Sequence, residues 1–410
     1  MKFLKLSNQI IAGLLFFSSS LFSAVQIIQP SENAYEEIQE AFILAEPGDV
    51  IRLTSGTYNL QDSLSLDVEG VQVEGEGMDQ TVLNFADQQS GAQGLSVTSD
   101  NVTLQDFSIQ NAKGDAIKVK GVTNIKFLRV KTEWTNGPSP ENGAYGLYPV
   151  ESTNVLIDGC VAIGASDAGI YVGQSKNIIV RNSRAEFNVA GIEIENSYYA
   201  DVFNNIATNN TGGILVFDLP GLPQQGGHHV RVFNNRSVGN NTDNFAPEGN
   251  IVGEVPRGTG IIIQANSDVE VFDNDISGNG TVNVSIVTYS NETQDENYYP
   301  HPRSIQIHGN RFGEGGFDPD VETGELAAIL FELSGGNMPD IFWDGILPTS
   351  QIIFGQPDEE RLILTNNGDA TFLTINPIKY LLPFFDPVET DISEYEGEVR
   401  PLQEITINSF

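Results

Sequence analysis

The sequence predicts an all-β fold: a single-stranded, right-handed parallel β-helix with three strands per coil, an N-terminal capping helix and an irregular C-terminal cap. Three observations predict it. A short alternating strand returns about every 22 residues, as from Ile178 to Ala200; a second strand led by glycine returns at a matching offset; and asparagines collect where the chain turns. The expected division is residues 1–24 as an export signal, 25–315 as the β-helix with its N-terminal cap, and 316–410 as the C-terminal cap with trailing segments.

The opening segment has the makeup of a secretory signal. Lys2 and Lys5 precede an apolar run from Ile10 to Phe17, and Ser23-Ala24 supplies small residues at the exit. That run is too short to span a bilayer, and no later stretch is long and apolar enough to do so. The expected location is therefore periplasmic or extracellular. Cys160 is the one cysteine, which excludes an internal disulfide and argues against thiolate metal sites and thiol chemistry. Acidic residues number 55 against 20 basic ones, a formal charge of −35. Such a surface repels nucleic acid and anionic membranes, so neither is an expected partner. It also repels an acidic polysaccharide unless a local basic patch or calcium intervenes.

The repeat defines the elements. A leading strand reads Val102-Thr-Leu104, Ile125-Lys-Phe127, Val155-Leu-Ile157 and Ile178-Ile-Val180, and continues through Val230-Arg-Val232 to Ile305-Gln-Ile307. Apolar residues alternate with variable ones, as in a strand with one buried face. The glycine-led strand reads Gly146-Leu-Tyr-Pro149, Gly169-Ile-Tyr-Val172, Gly191-Ile-Glu-Ile194, Gly213-Ile-Leu-Val216 and Gly260-Ile-Ile-Ile263, with Ala116-Ile-Lys-Val119 as an earlier member. A third, less regular strand appears at Phe107-Ser-Ile109 and Val161-Ala-Ile163. Asn182, Asn204, Asn205, Asn234, Asn235, Asn274 and Asn310 follow the leading strand, where left-handed turns and side-chain stacking suit asparagine.

Solenoid ends need covers. Residues 32–44 read as an amphipathic helix capped by Ser31, which would close the N-terminal end. The following Pro47-Gly-Asp-Val-Ile-Arg-Leu-Thr-Ser-Gly-Thr-Tyr58 resembles the opening coil of pectin-lyase-like β-helix proteins. The period fades near residue 315.

Insertions near residues 133–145, 218–228, 240–257 and 288–303 all flank the glycine-led strand, so they are expected to wall a groove over it. With Ile117, Leu147, Ile170, Ile192 and Ile214 inward, the pleat turns Lys118, Tyr148, Tyr171, Glu193 and Leu215 outward as the groove floor. Lys120, Glu195 and Phe217 lie one step further, and Asp115, Glu151, Asp167, Asp218 and Arg231 border them. Aromatic rings beside carboxylates suit a sugar chain, whose ring faces stack while its hydroxyls bond. Packed tyrosines on a solvated polar face would read the same way.

At Tyr145-Gly-Leu-Tyr-Pro-Val-Glu-Ser152 the chain resembles the β-helix alginate (mannuronan) C-5 epimerases, which carry Tyr-Gly-x-Asp-Pro-His-Asp/Glu on their catalytic strand. Tyr145, Gly146, Pro149 and Glu151 agree with that pattern, while Tyr148 replaces its catalytic Asp and Val150 its His. By this resemblance Lys118 matches a charge-neutralising lysine and Asp167 an acid that assists binding. The segment Asn142 to Val150 also resembles that of exported parallel β-helix repeat proteins, which implies the fold alone.

Removing a proton beside a sugar carboxylate requires a neutralised carboxylate, a base and an acid. The catalytic candidates are Tyr145 and Tyr148 as base or acid, if Lys118 or Arg231 lowers a phenol's pKa, with both cations neutralising the sugar carboxylate. The substrate-binding candidates are Tyr171, Glu193, Glu195, Asp167, Glu151 and Asp218. Two carboxylates such as Glu193 and Asp218 would alternatively hydrolyse a glycosidic bond. Adjacent strand residues point oppositely, so His228 and His229 are not expected to share a metal. Calcium held by acids of the insertions is the expected cofactor, if there is one. The readings that result are an exported enzyme epimerising or β-eliminating a uronic polysaccharide, a non-catalytic polysaccharide-binding or surface protein, or a periplasmic accessory factor for a metal or redox system. A monomer is expected.

Overall fold

The computed structural model describes residues 23–380 and 384–407, so most of the expected export signal lies outside the described residues, as do residues 381–383 and 408–410 of the expected C-terminal cap and trailing segments. Among the described residues the strands form three sheets of twelve, twelve and ten members. A coil runs from the leading sheet (Val102–Gln105) through a short-strand sheet (Ser108–Gln110) to the glycine-led sheet (Ile117–Lys120), and the next coil begins at Thr123–Leu128. Pairing between coils is parallel, except where Val388–Glu389 closes antiparallel on Phe372–Ile375. This is the right-handed parallel β-helix that the repeat predicts. The short-strand ladder is as regular as the others. Each of its strands buries little more than a middle residue, such as Thr132 or Ala185, and so leaves a faint mark in the sequence.

Inward residues of all three sheets, among them Val155, Ile178, Leu147, Ile170 and Ala185, form one fully buried column. The turn asparagines divide two tasks between neighbours. Asn182, Asn204 and Asn234 take the left-handed conformation, with φ of 52°, 55° and 53°. Asn205, Asn235, Asn274, Asn310 and Asn367 are buried and bond Nδ2 to Oδ1 from coil to coil at 2.9 to 3.2 Å. A second buried ladder, Asn188, Asn210, Asn240 and Asn279, runs at the turn into the glycine-led sheet.

Helix α1 (Ala34–Leu44) packs Ala34, Ile38, Ala41 and Phe42 against the first coil. Its start differs from expectation. Asn33 occupies the capping position, and the Ser31 hydroxyl instead donates to Glu37 at 3.1 Å and accepts from the Asn33 N–H at 3.2 Å. The ladders run past residue 315, where the repeat fades. Ile341–Trp343 and Phe372–Ile375 extend the glycine-led sheet, and Ile363–Thr365 extends the leading one. These strands lack the glycine lead and follow irregular connections, so the period is lost while the pairing persists. The C-terminal tail then folds back along the leading sheet. Arg400 exchanges two bonds with Gln306 at 2.6 and 2.8 Å, Leu402 N–H donates to Glu270 at 2.9 Å, and Ile405 N–H donates to Asp201 at 3.1 Å.

The insertions flank the glycine-led sheet as expected, but the second and third pack apolar residues down onto it instead of only walling a groove. Leu219, Val252 and Val255 join Leu330 of helix α2 (Glu325–Leu333) in a second apolar cluster over Leu215, Ile262 and Phe342. The outward residues of these coils are apolar, and leaving them wet would forfeit about 25 cal/mol per Å². The expected open groove is therefore filled along its C-terminal half.

Candidate functional site

The outward column of the glycine-led sheet is in register, with Lys118 opposite Tyr148, Tyr171 opposite Glu193 and Glu193 opposite Leu215. Leu147 pairs with Ile170, which sets Tyr148 beside Tyr171. Tyr145 joins them through Gly146. A β-carbon at Gly146 would lie 2.4 Å from the Gly169 carbonyl and 2.5 Å from Thr132 Oγ1, so only glycine lets the chain turn this corner and send Tyr145 outward. The three rings form one cluster, with centroids 4.3 Å (Tyr145–Tyr148), 4.7 Å (Tyr145–Tyr171) and 5.0 Å (Tyr148–Tyr171) apart. Tyr145 and Tyr148 remain half-buried, whereas Tyr171 is buried. Lys118 Nζ sits 4.8 Å from the Tyr148 ring centre and 3.6 Å from Asp115.

Behind the rings stand three buried carboxylates, Asp167, Glu193 and Glu195. The Tyr171 hydroxyl donates to Glu195 at 2.7 Å, and Gln174 donates to both. Burial raises the Asp167 carboxyl to about 7, held from going higher by Tyr145, with Glu195 and Asp115 adding to the rise. Burial likewise brings Glu195 to about 7 against the pull of Tyr171. Glu193 is pushed well above the ordinary range by burial and then by Glu195 and Asp167. Neither Glu193 oxygen has a hydrogen-bond partner among the described residues. Such a group favours its protonated form.

Several sequence expectations need correction. The phenols are not made acidic. Burial, then Asp115 and Glu195, push Tyr148 up to about 12, and Tyr145 and Tyr171 rise further. Lys118 is already engaged with Asp115, so the tyrosines stand as neutral proton donors. Arg231 does not border the site. It lies on the leading sheet between Asp201 and Glu270, 3.6 Å from Asp201 and 4.7 Å over the Phe233 ring. Glu151 is exposed at the next corner, 3.3 Å from Lys120. Asp218 is buried and accepts the Gly226 and Gly227 N–H groups at 3.1 and 2.8 Å, so it fastens the insertion that follows it and burial holds it at about 6. Glu193 and Asp218 are both closed to substrate, which removes them as a hydrolytic pair. Asp115 and Gln174 gain parts that the sequence reading did not give them. Asp115 had been placed only on the border, and the polar turn position of Gln174 carries no signal of its own.

The two adjacent histidines also depart from the alternation rule. His229 has φ of 57°, which brings its ring to the side of His228, with Nδ1 atoms 2.9 Å apart. Among the described residues no group of three or more His, Cys, Asp or Glu side chains is arranged to hold a metal ion. Among the described residues no helix is long and apolar enough to cross a membrane. A cleft of about 1000 Å³ opens elsewhere, between the third insertion and residues 318–324, and none of the expected site residues lines it.

A family model described as "Right handed beta helix region" matches residues 69–223. Among solved structures, the Azotobacter vinelandii mannuronan C-5 epimerase AlgE4 A-module is similar at 16% identity, over 82% of this chain and 90% of that one, with a TM-score of 0.52. The AlgE6 A-module of the same organism follows at 15% identity, 83% and 82% coverage and a TM-score of 0.48. A pectate lyase, Pel9A, follows at 14% identity, 71% and 77% coverage and 0.44. A comparison with curated proteins finds no match. At these identities the similarity establishes the fold alone.

Proposed function

We propose that this chain is an exported enzyme that moves the proton beside the carboxylate of a uronic polysaccharide. One observation carries the reading: a half-exposed lysine, two half-exposed neutral phenols and carboxyls raised to about 7 share one patch of one sheet. Lys118 would leave Asp115 to neutralise the sugar carboxylate. Tyr145 would take the C-5 proton as its own phenolic proton passes to Asp167. This relay fits an acid titrating near neutrality. Tyr148, stacked beside Tyr145 on the same side of the sugar, would then protonate the departing glycosidic oxygen, giving an unsaturated chain end, or solvent would protonate C-5 from the other face, giving the epimer; solvent restores the phenolic proton after elimination.

The burial of Tyr171, Glu193 and Glu195 favours a second reading, in which the exposed rings only stack sugars. Incubation with polymannuronate, polyguluronate and polygalacturonate, with and without calcium, separates the two. Ultraviolet-absorbing product indicates elimination, and solvent deuterium at C-5 in uncut chains indicates epimerisation. Binding without either outcome assigns the second reading.

A further inference from the structure

At the corner between the glycine-led and leading sheets, each coil places one residue in the left-handed region. In four successive coils it is asparagine: Asn101, Asn124, Asn154 and Asn177, with φ of 60°, 66°, 59° and 54°. Their side chains bond from coil to coil at 2.6, 2.7 and 3.1 Å. In the next two coils the position is held by Tyr199 (φ 61°) and His229 (φ 57°). Bulky side chains are disfavoured in this conformation, and strain of this kind gathers at functional sites. The preceding column changes in the same two coils, to Tyr198 and His228.

The result is a patch of four rings outside the site described above. Tyr198 and His228 stack at 4.4 Å with planes 9° apart, and Tyr199 lies 5.1 Å from each imidazole. Tyr199 is 41% exposed, so the patch keeps an open aromatic surface. The Tyr198 column carries Lys176 one coil before and Arg303 two coils after His228. Lys176 Nζ lies 5.3 Å from the Tyr198 ring centre, and both cations bear electrostatically on His228. Asp268 lies 3.7 Å from His229, and the buried Asp218 also bears electrostatically on Tyr198 and Arg303. In a chain of charge −35, two cations bracketing an exposed aromatic surface stand out. Only Asn196 and Ser197 separate Tyr198 from Glu195 in the chain.

We infer that Tyr199, with His228 and His229, forms a docking platform for a uronate chain, whose sugar rings stack on the aromatics while its carboxylates meet Lys176 and Arg303. The uronate identity rests on the function proposed above; the platform rests on the register and the rings. Aromatic stacking supplies area at low conformational cost, and the cations select the charged sugar.

The test measures binding of polymannuronate and of a neutral β-glucan to the full chain and to a Tyr199→Asn/His229→Asn double variant. The double variant restores the asparagine column, so its thermal stability checks that the coil is intact. A fall in polymannuronate affinity of about tenfold or more in the double variant, with the coil intact by thermal stability, supports the platform. Unchanged affinity in the double variant, or no polymannuronate binding by the unmodified chain, overturns it. Equal affinity for the neutral glucan overturns the uronate assignment. Platform-dependent binding without turnover of any uronan overturns the catalytic reading and leaves the platform standing.

Discussion

Glu193 steps outward from the coil yet meets no water, because its neighbours in the column, Tyr171 and Leu215, are themselves buried. Its carboxyl is raised above the value of about 4.3 expected in the unfolded chain. The folded chain therefore keeps a proton that the unfolded chain has lost. Stability from this source is full below the unfolded value and declines as pH rises through the folded values, which stand at about 7 for Asp167 and Glu195. Thermal melts should thus show stability falling from about pH 5 to about pH 8. Glu193→Gln should flatten that slope and gain on the order of 1 kcal/mol at the upper end; an unaltered slope would assign it to other groups. At Tyr148 the expectation is kinetic. If the phenol is the proton donor, Tyr148→Phe should lower kcat by roughly 100-fold with little change in KM. Activity equal to the unmodified enzyme would remove Tyr148 from the chemistry. The residue scale is also where the sequence was least readable. The column Lys118, Tyr148, Tyr171, Glu193 follows from alternation alone, but which members stay wet depends on later insertions, such as those carrying Leu219 and Val255, that fold back over the sheet. Arg231 is different: the repeat itself puts Val230-Arg-Val232 on the leading strand, so its place outside the groove was legible, and grouping it with the groove residues ran against the repeat.

Among the elements, the buried asparagine ladder and the exposed left-handed turns look alike in sequence and behave differently. Asn235 donates Nδ2 to Asn274 Oδ1 and to the Val202 carbonyl, while its Oδ1 accepts from Asn205. Asn235→Ala strands several buried partners and should cost about 2–4 kcal/mol in chemical denaturation. Asn234, one residue earlier, needs only its left-handed φ of 53°. Asn234→Gly should stay within about 0.5 kcal/mol. Equal losses in the two variants would contradict this division of tasks. Tyr199→Asn should melt higher than the unmodified chain, because it exchanges a strained bulky residue for the one used four times before it. The leading and glycine-led strands were legible because each buries two or more apolar residues at fixed spacing. The short strands bury one, and the asparagine pairs revealed the turns without revealing which member faces inward.

For the whole molecule, the coil architecture was legible from Val102 to Ile307 because every coil repeats the same local problem. The coils after residue 315 were not, since Ile341–Trp343 and Phe372–Ile375 keep the pairing without the spelling. Nor was the tail. Residues 400–405 carry no regular secondary structure, yet they hold Gln306, Glu270 and Asp201 through main-chain bonds. Deleting residues 399–410 should lower the melting temperature by several degrees and speed hydrogen exchange in the leading-sheet strands Tyr198–Phe203, Ser267–Phe272 and Arg303–His308. Exchange confined to the C-terminal cap would show that the tail fastens nothing. Because this strap follows every coil in the sequence, it cannot close until the coils beneath it have been laid down. A chain stopped before residue 400 would leave Asp201 and Glu270 without their amide donors, so the strap is a seal that can be set only over completed coils.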